Sequence, residues 1–313
     1  MRKSTFSAAA LFSICAAAAA QAGPSPQGAA QQAPRQPRPI AVEQLTPNVY
    51  WVRNIGFGAF IVGDKGVIVL DTGDSPATGK QILDAVAKVT PKPVTTLILS
   101  HGDADHVNGI AAFPAGIEII AQENTKKRLA AAVASPQTGP EDIKIPADRL
   151  PNHIVGNRED VQIDGVKMQL LHWAPAHTSG DLVAYLPDQK LVLAGDLLVA
   201  DQHNLPLIHV DYGGTSKGWI ESVKGMLALD ADRYVIGHEA VLTKDGVQQQ
   251  LQAAIAEREK VKALYDKGTS LADIEAAVGD PAPNPNPAAA PKGGPHFPPF
   301  SAVIYQELKA RTY

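Results

Sequence analysis

The sequence holds one cysteine in 313 residues, and that one, Cys15, lies in an N-terminal stretch that reads as removable. Arg2 and Lys3 precede a mostly alanine run from Ala8 to Ala20, and Ala20-Gln21-Ala22 offers the small residues a signal peptidase cuts after. A lipid anchor on Cys15 is the alternative reading, opposed by bulky Ile14 before it and alanines behind it. With residues 1–22 read as a signal peptide, the mature chain carries no thiol. Disulfide stapling, thiolate catalysis and cysteine-ligated zinc are then all excluded. The chain also lacks an apolar run of the ~20 residues a spanning helix needs, which argues against a membrane protein. Positive charge is scarce too: 28 Lys and Arg stand against 32 Asp and Glu, a net −4, and loss of Arg2 and Lys3 leaves −6. No basic run is present, so nucleic acid and anionic membrane are poor partners and a small-molecule substrate is the expected one. The expected location is periplasmic or secreted.

Residues 23–38 are rich in proline, glutamine and alanine and read as a disordered spacer. From residue 39 the apolar pattern predicts strands over 49–52, 59–62 and 67–70, a helix over 78–89 stopped by Pro91, and a buried strand over 94–99. A strand over 117–121, a helix over 124–133 and a long polar loop over 135–150 follow. A second group of strands is expected over 161–163, 166–172, 182–185 and 191–194. Helix 216–229, strand 234–236 and helices 247–265 and 271–278 complete a domain ending near 279. Residues 280–299 are proline-rich, and 300–313 reads as a helix docking back on the domain. Two groups of strands with helices between them predict one α/β domain, two sheets covered by outer helices.

Chemistry concentrates in Ser100-His101-Gly102-Asp103-Ala104-Asp105-His106, four ligand-type side chains directly after a buried strand. Open α/β sheets hold ligands at the carboxyl ends of strands. A solvated acidic turn is the bland alternative. Further ligand-type residues stand at strand ends or in short loops beside glycine or alanine: Asp71 in Leu70-Asp71-Thr72-Gly73, His177 in Pro175-Ala176-His177, Asp196 in Ala194-Gly195-Asp196, and His238 in Gly237-His238-Glu239. Each alone has a capping or turn explanation. Together they favour a divalent-cation site, which satisfies clustered Asp and His that would otherwise demand partners.

This ordered set resembles the metallo-β-lactamase superfamily, marked by a strand-end Asp, HxHxDH, a single His, a bridging Asp and a last His. The resemblance covers roughly residues 40–265 and implies an αββα sandwich with a dinuclear metal site and a metal-activated water. By that resemblance His101, Asp103 and His177 hold the first ion, and Asp105, His106 and His238 the second, with Asp196 bridging. Asp105 also orients the attacking water, and Asp71 orients the ligands. Zinc is the first expectation for both ions. The one departure is Asp103 where the family has histidine; a harder, charged ligand draws the site towards iron or manganese, or leaves the first position weakly held. Two divalent ions and a hydroxide are then balanced by Asp103, Asp105 and Asp196, which predicts a less acidic bound water than a histidine would give.

The implied reaction is hydrolysis of a small ester, lactone, thioester or lactam-type bond. Alternatives are a β-lactamase specifically, although those members mostly carry Cys or Ser where Asp196 stands, and an iron-dependent oxidoreductase of the same fold. Nuclease members carry an inserted domain and basic surfaces that this sequence does not show. His203, His209, Tyr212 and Trp219 lie where a loop and helix can overhang the pocket; His172 reads equally as an orienting or a packed residue. His153 and His296 read as ordinary surface residues, Glu239 as a solvated turn, and Trp51 as core.

Overall fold

A computed structural model describes residues 39–54, 58–136, 142–200, 203–238, 240–280 and 297–310. The signal and spacer expected over residues 1–38, like Glu239 and residues 281–296 of the proline-rich segment with His296, lie outside the described residues. Pro37–Tyr313 forms one compact unit. No helix of the described residues is long and apolar enough to cross a membrane.

Two sheets follow from two-sided burial. The first runs β1 (Ala41–Gln44), β2 (Val49–Arg53), β3 (Ala59–Val62), β4 (Val67–Leu70), β5 (Val94–Ile98), β6 (Glu118–Gln122) and β7 (His153–Val155) in sequence order. It is antiparallel from β1 to β4 and parallel from β4 to β7. The second has the order β13 (Ala240–Thr243), β12 (Arg233–Ile236), β11 (Leu191–Gly195), β10 (Val183–Leu186), β9 (Val166–Leu171), β8 (Arg158–Ile163), with β11 and β12 parallel. Side chains alternate across each strand. In β4, Ile68 and Leu70 face the cluster between the sheets, while Val67 and Val69 face helices. In β11, Leu191 and Leu193 join the same inter-sheet cluster, and Val192 and Ala194 the opposite one.

The helices cover the outer faces. Ile82 and Val86 of α1 (Pro76–Val89) and Leu129 of α3 (Glu123–Ala134) pack outside the first sheet; the four-residue α2 (Ala104–Val107) carries the Asp/His loop between them. Outside the second sheet lie α4 (Ser216–Leu227), α5 (Lys244–Tyr265), α6 (Leu271–Val278) and α7 (Phe300–Lys309), supplying Trp219, Val223, Leu251, Ile274, Phe300 and Ile304. The architecture is the expected αββα sandwich. Helix α1 starts at Ser75, whose hydroxyl accepts from the Thr78 amide, with Pro76 in its first turn.

Three strands were not expected: β1, β7 and β13. All three are edge strands: β1 is exposed at every residue, and β7 and β13 are short and only partly buried. The expected helix at 247 begins instead at Lys244, behind the Thr243 cap.

Candidate metal centre

The parallel strands deliver the ligand-type residues to one edge. Asp71 follows β4, His101 follows β5 by three residues, Asp196 follows β11, and His238 comes two residues after β12. Asp71 and His238 both adopt left-handed backbone with φ of 54°, a conformation that costs non-glycine residues about 1–3 kcal/mol and tends to persist at functional sites. Gly237 must be glycine: a Cβ there would sit 1.7 Å from Asp196 Oδ1. Gly195 turns the chain at φ 56°, against the Ser100 side chain.

All seven expected ligands come together. Asp103 Oδ2 lies 3.4 Å from His101 Nε2 and 3.5 Å from His177 Nε2. In the second group, Asp105 Oδ2 is 3.6 Å from His106 Nε2 and 3.7 Å from His238 Nε2. Asp196 touches that group with both oxygens, Oδ1 at 3.3 Å from His106 Nε2 and Oδ2 at 3.0 Å from His238 Nε2. Tetrahedral bonds of ~2.0–2.1 Å would place ligand atoms about 3.3–3.4 Å apart, so these spacings suit a small divalent cation.

Hydrogen bonds on the far side of each ring fix its tautomer. His106 Nδ1 donates to Asp71 Oδ2 at 2.8 Å, and His177 Nδ1 donates to the Leu207 carbonyl at 2.8 Å. Ser100 Oγ donates to Asp71 Oδ2, so the His101 Nδ1 proton goes to Ser100 Oγ at 2.9 Å. Each of these three imidazoles therefore turns its Nε2 towards the cluster. Those Nε2 atoms of His101, His106 and His177, with Asp196 Oδ1, are buried and have no hydrogen-bond partner. Orphaned, converging, electron-rich atoms fit a cation and fit little else. Asp71 is close enough to His101 and His106 to be counted with them, but its oxygens are already taken by Ser100 and His106; it orients rather than ligates.

Electrostatics point the same way. Burial pulls the His177 pKa down, but contact with Asp103 outweighs it and raises it to about 9. Burial likewise opposes charge on His106, and Asp196, Asp105 and Asp71 push it well above the usual imidazole range. Burial opposes the charges on Asp103 and Asp196, yet the adjacent imidazoles hold both far below ordinary carboxylates. The carboxylates thus favour protons on His106 and His177, which a bound cation would have to displace.

Other residues arrive that the sequence did not mark. Arg128 of α3 ion-pairs with Asp103 Oδ1 and lies 3.2 Å over the Tyr212 ring. His209, expected to overhang the pocket, sits deeper, with Nε2 2.9 Å from Asp103 Oδ2. Phe297 packs on the His209 and His177 rings, with centroids 4.4 and 5.7 Å away. Trp219 does not reach the pocket: it is fully buried and donates to the Leu197 carbonyl. His172 is buried and bonds the Asp181 carbonyl, and Trp51 is core. His153 is an ion-pair node between Glu118 and Glu159 rather than a plain surface residue.

Comparison with known proteins agrees with this geometry. The model of the Metallo-beta-lactamase superfamily matches residues 48–238. The alpha subunit of 2,4-dinitroanisole O-demethylase from Nocardioides sp. (strain JS1661) is 34% identical over 181 residues, 57% of this chain and 51% of that one. The linear primary-alkylsulfatase of Pseudomonas sp. (strain ATCC 19151) is 24% identical over 245 residues, covering 66% and 45%. The chain thus spans about half the length of these curated relatives. The solved structure of the stereoselective inverting sec-alkylsulfatase Pisa1 from Pseudomonas sp. superposes with a TM-score of 0.65 at 18% identity, over 86% of this chain and 50% of that one. At that identity the likeness is one of fold.

Proposed function

The chain belongs to the metallo-beta-lactamase superfamily, and from that premise we propose that it is a metal-dependent hydrolase of a small organic substrate. The observation that carries the proposal is the convergence of three buried, unpartnered Nε2 atoms and Asp196 Oδ1 on one cluster with Asp103 and Asp105. His101, Asp103 and His177 would hold one divalent ion and Asp105, His106 and His238 a second, with Asp196 between them; zinc is the first candidate. Such ions supply a water acidic enough to attack at neutral pH and polarise the bond to be broken. The chain's own groups do the rest. Asp105, 39% exposed and beside His106 and His238, is placed to accept a proton from the attacking water. Asp71 fixes the His106 ring and, through Ser100, that of His101. Phe297 shields His177 and His209 from solvent. A cavity of about 350 Å³ adjoins Asp103 through Arg128 and is lined by Arg128, Tyr212, Ser135 and Asp142 with the apolar Ala131, Ala132 and Ile143. It suits a small molecule with an apolar portion.

Ester, lactone, thioester and lactam-type bonds are the proposed substrates. The O-demethylase and alkylsulfatase relatives favour a second reading, cleavage of an aryl ether or a sulfate ester. The test is to measure metal per chain and turnover on one panel of lactone, thioester, lactam, alkyl sulfate and nitroaryl ether. Turnover should vanish on chelation and return with added metal. Undiminished hydrolysis by the stripped chain would sink the proposal, and iron with oxygen consumption would move it to an oxidoreductase. Export belongs to the same proposal: the secreted protein should begin at Gly23, and a periplasmic form retaining Arg2 and Lys3 would count against it.

A further inference from the structure

Asp103 differs from the other carboxylates that face the cluster. Its Oδ2 faces His101, His177 and, at 2.9 Å, His209, while its Oδ1 is held by the Arg128 guanidinium. That guanidinium is itself held, stacked on Tyr212 and largely buried, with 19% of its side chain exposed. A guanidinium is a permanent cation, unlike an imidazolium. On the other side, the ion-pair partners of Asp105 and Asp196 among the described residues are His106 and His238, whose protons a cation can displace. The two halves of the centre are therefore electrostatically unequal.

We propose that Arg128 is a positioning residue that, through Asp103, sets the affinity of the first cation position below that of the second. The proposal rests on the metal-centre reading and goes beyond it. A permanent positive charge on one oxygen draws electron density from the other and repels a dication bound there; in a buried setting neither effect is well screened. The same charge alters the balance read from the sequence. Aspartate in place of histidine removes one positive charge from the core, and Arg128 restores it. A water activated there would thus keep the acidity that Asp103 alone would weaken, and the first ion would be held less tightly in exchange.

The test uses the full chain, stripped of metal and titrated with Zn²⁺ against a chromophoric chelator, and separately with Co²⁺ followed by its ligand-field absorption. Wild type should show two classes of ion, the weaker assigned to the first position because Asp103→His tightens it. Arg128→Gln should tighten that weaker class by about tenfold or more and leave the tighter class unchanged. Arg128→Lys, which keeps the charge, should behave as wild type. Tyr212→Leu, which releases the guanidinium from its stack, should shift the weaker class in the same direction and serves if Arg128→Gln does not fold. Two classes that ignore Arg128→Gln and Tyr212→Leu, or a weaker class that loosens, overturn this inference alone. A chain that takes up no cation overturns the metal centre, and this inference with it.

Discussion

Asp71 contacts no solvent, yet three groups depend on it. Its Oδ1 accepts from the Ser100 amide at 2.7 Å, and its Oδ2 accepts from Ser100 Oγ and His106 Nδ1. Asp71→Asn keeps the shape but puts an NH₂ group where acceptors are needed. We expect metal affinity to fall about 10–100-fold with little change in secondary structure. Chelator competition alongside circular dichroism checks this; unaltered affinity would show that His106 holds its orientation without the carboxylate. Asp71 was visible in the sequence because it terminates a fully apolar strand, as were His101 to His106, His177, Asp196 and His238. Arg128 was not. It sits in Lys126-Lys127-Arg128 on an amphipathic helix, where a basic residue reads as a solvated face. Only the fold shows that one of the three turns inward. Phe297 was hidden for another reason: 59 positions separate it from His238, so no local spacing relates the two.

At the scale of elements, interior strands were legible, and of the four edge strands only β8 was. β4 and β5 carry buried residues on both faces, whereas β1, β7 and β13 are short and bury little. The C-terminal helix α7 shows what sequence can say and what it omits. Its apolar face is evident in Phe300, Val303, Ile304 and Leu308. Its polar anchor is not: Glu307 accepts from the Ser216 amide and hydroxyl at the start of α4, at 2.6 and 2.7 Å, and pairs with Arg258 of α5 at 2.6 Å. One carboxylate thereby ties three helices together. Glu307→Ala leaves Arg258 and the first turn of α4 without it, and should cost about 3 kcal/mol of stability. Urea unfolding measures this, and a loss below about 1 kcal/mol would reduce the anchor to a surface pair. Loosening α7 also loosens Phe297 just before it, so the same variant should raise KM more than it lowers metal content.

For the whole molecule, the two sheets are joined at one margin by a titratable link. His153 of β7 lies 2.9 Å from Glu118 of β6 and 3.0 Å from Glu159 of β8, the edge strand of the other sheet. The contact with Glu118 raises its pKa, slight burial opposes this, and Glu159 adds to the rise. A raised imidazole pKa contributes stability that is complete below its unfolded value of ~6.5 and fades as pH rises through the folded value. His153→Gln should therefore lower Tm at pH 5.5–6 and change it little near pH 9. Equal losses at both would mean that the link does not depend on the proton. The order of the chain has another result. The cluster draws its side chains from Asp71 through His238, and Phe297, which packs on the His177 and His209 rings, follows 59 positions after the last of them. During synthesis every one of those side chains therefore emerges before Phe297 does, so the set of ligand-type residues is complete while its His177 side is still uncapped.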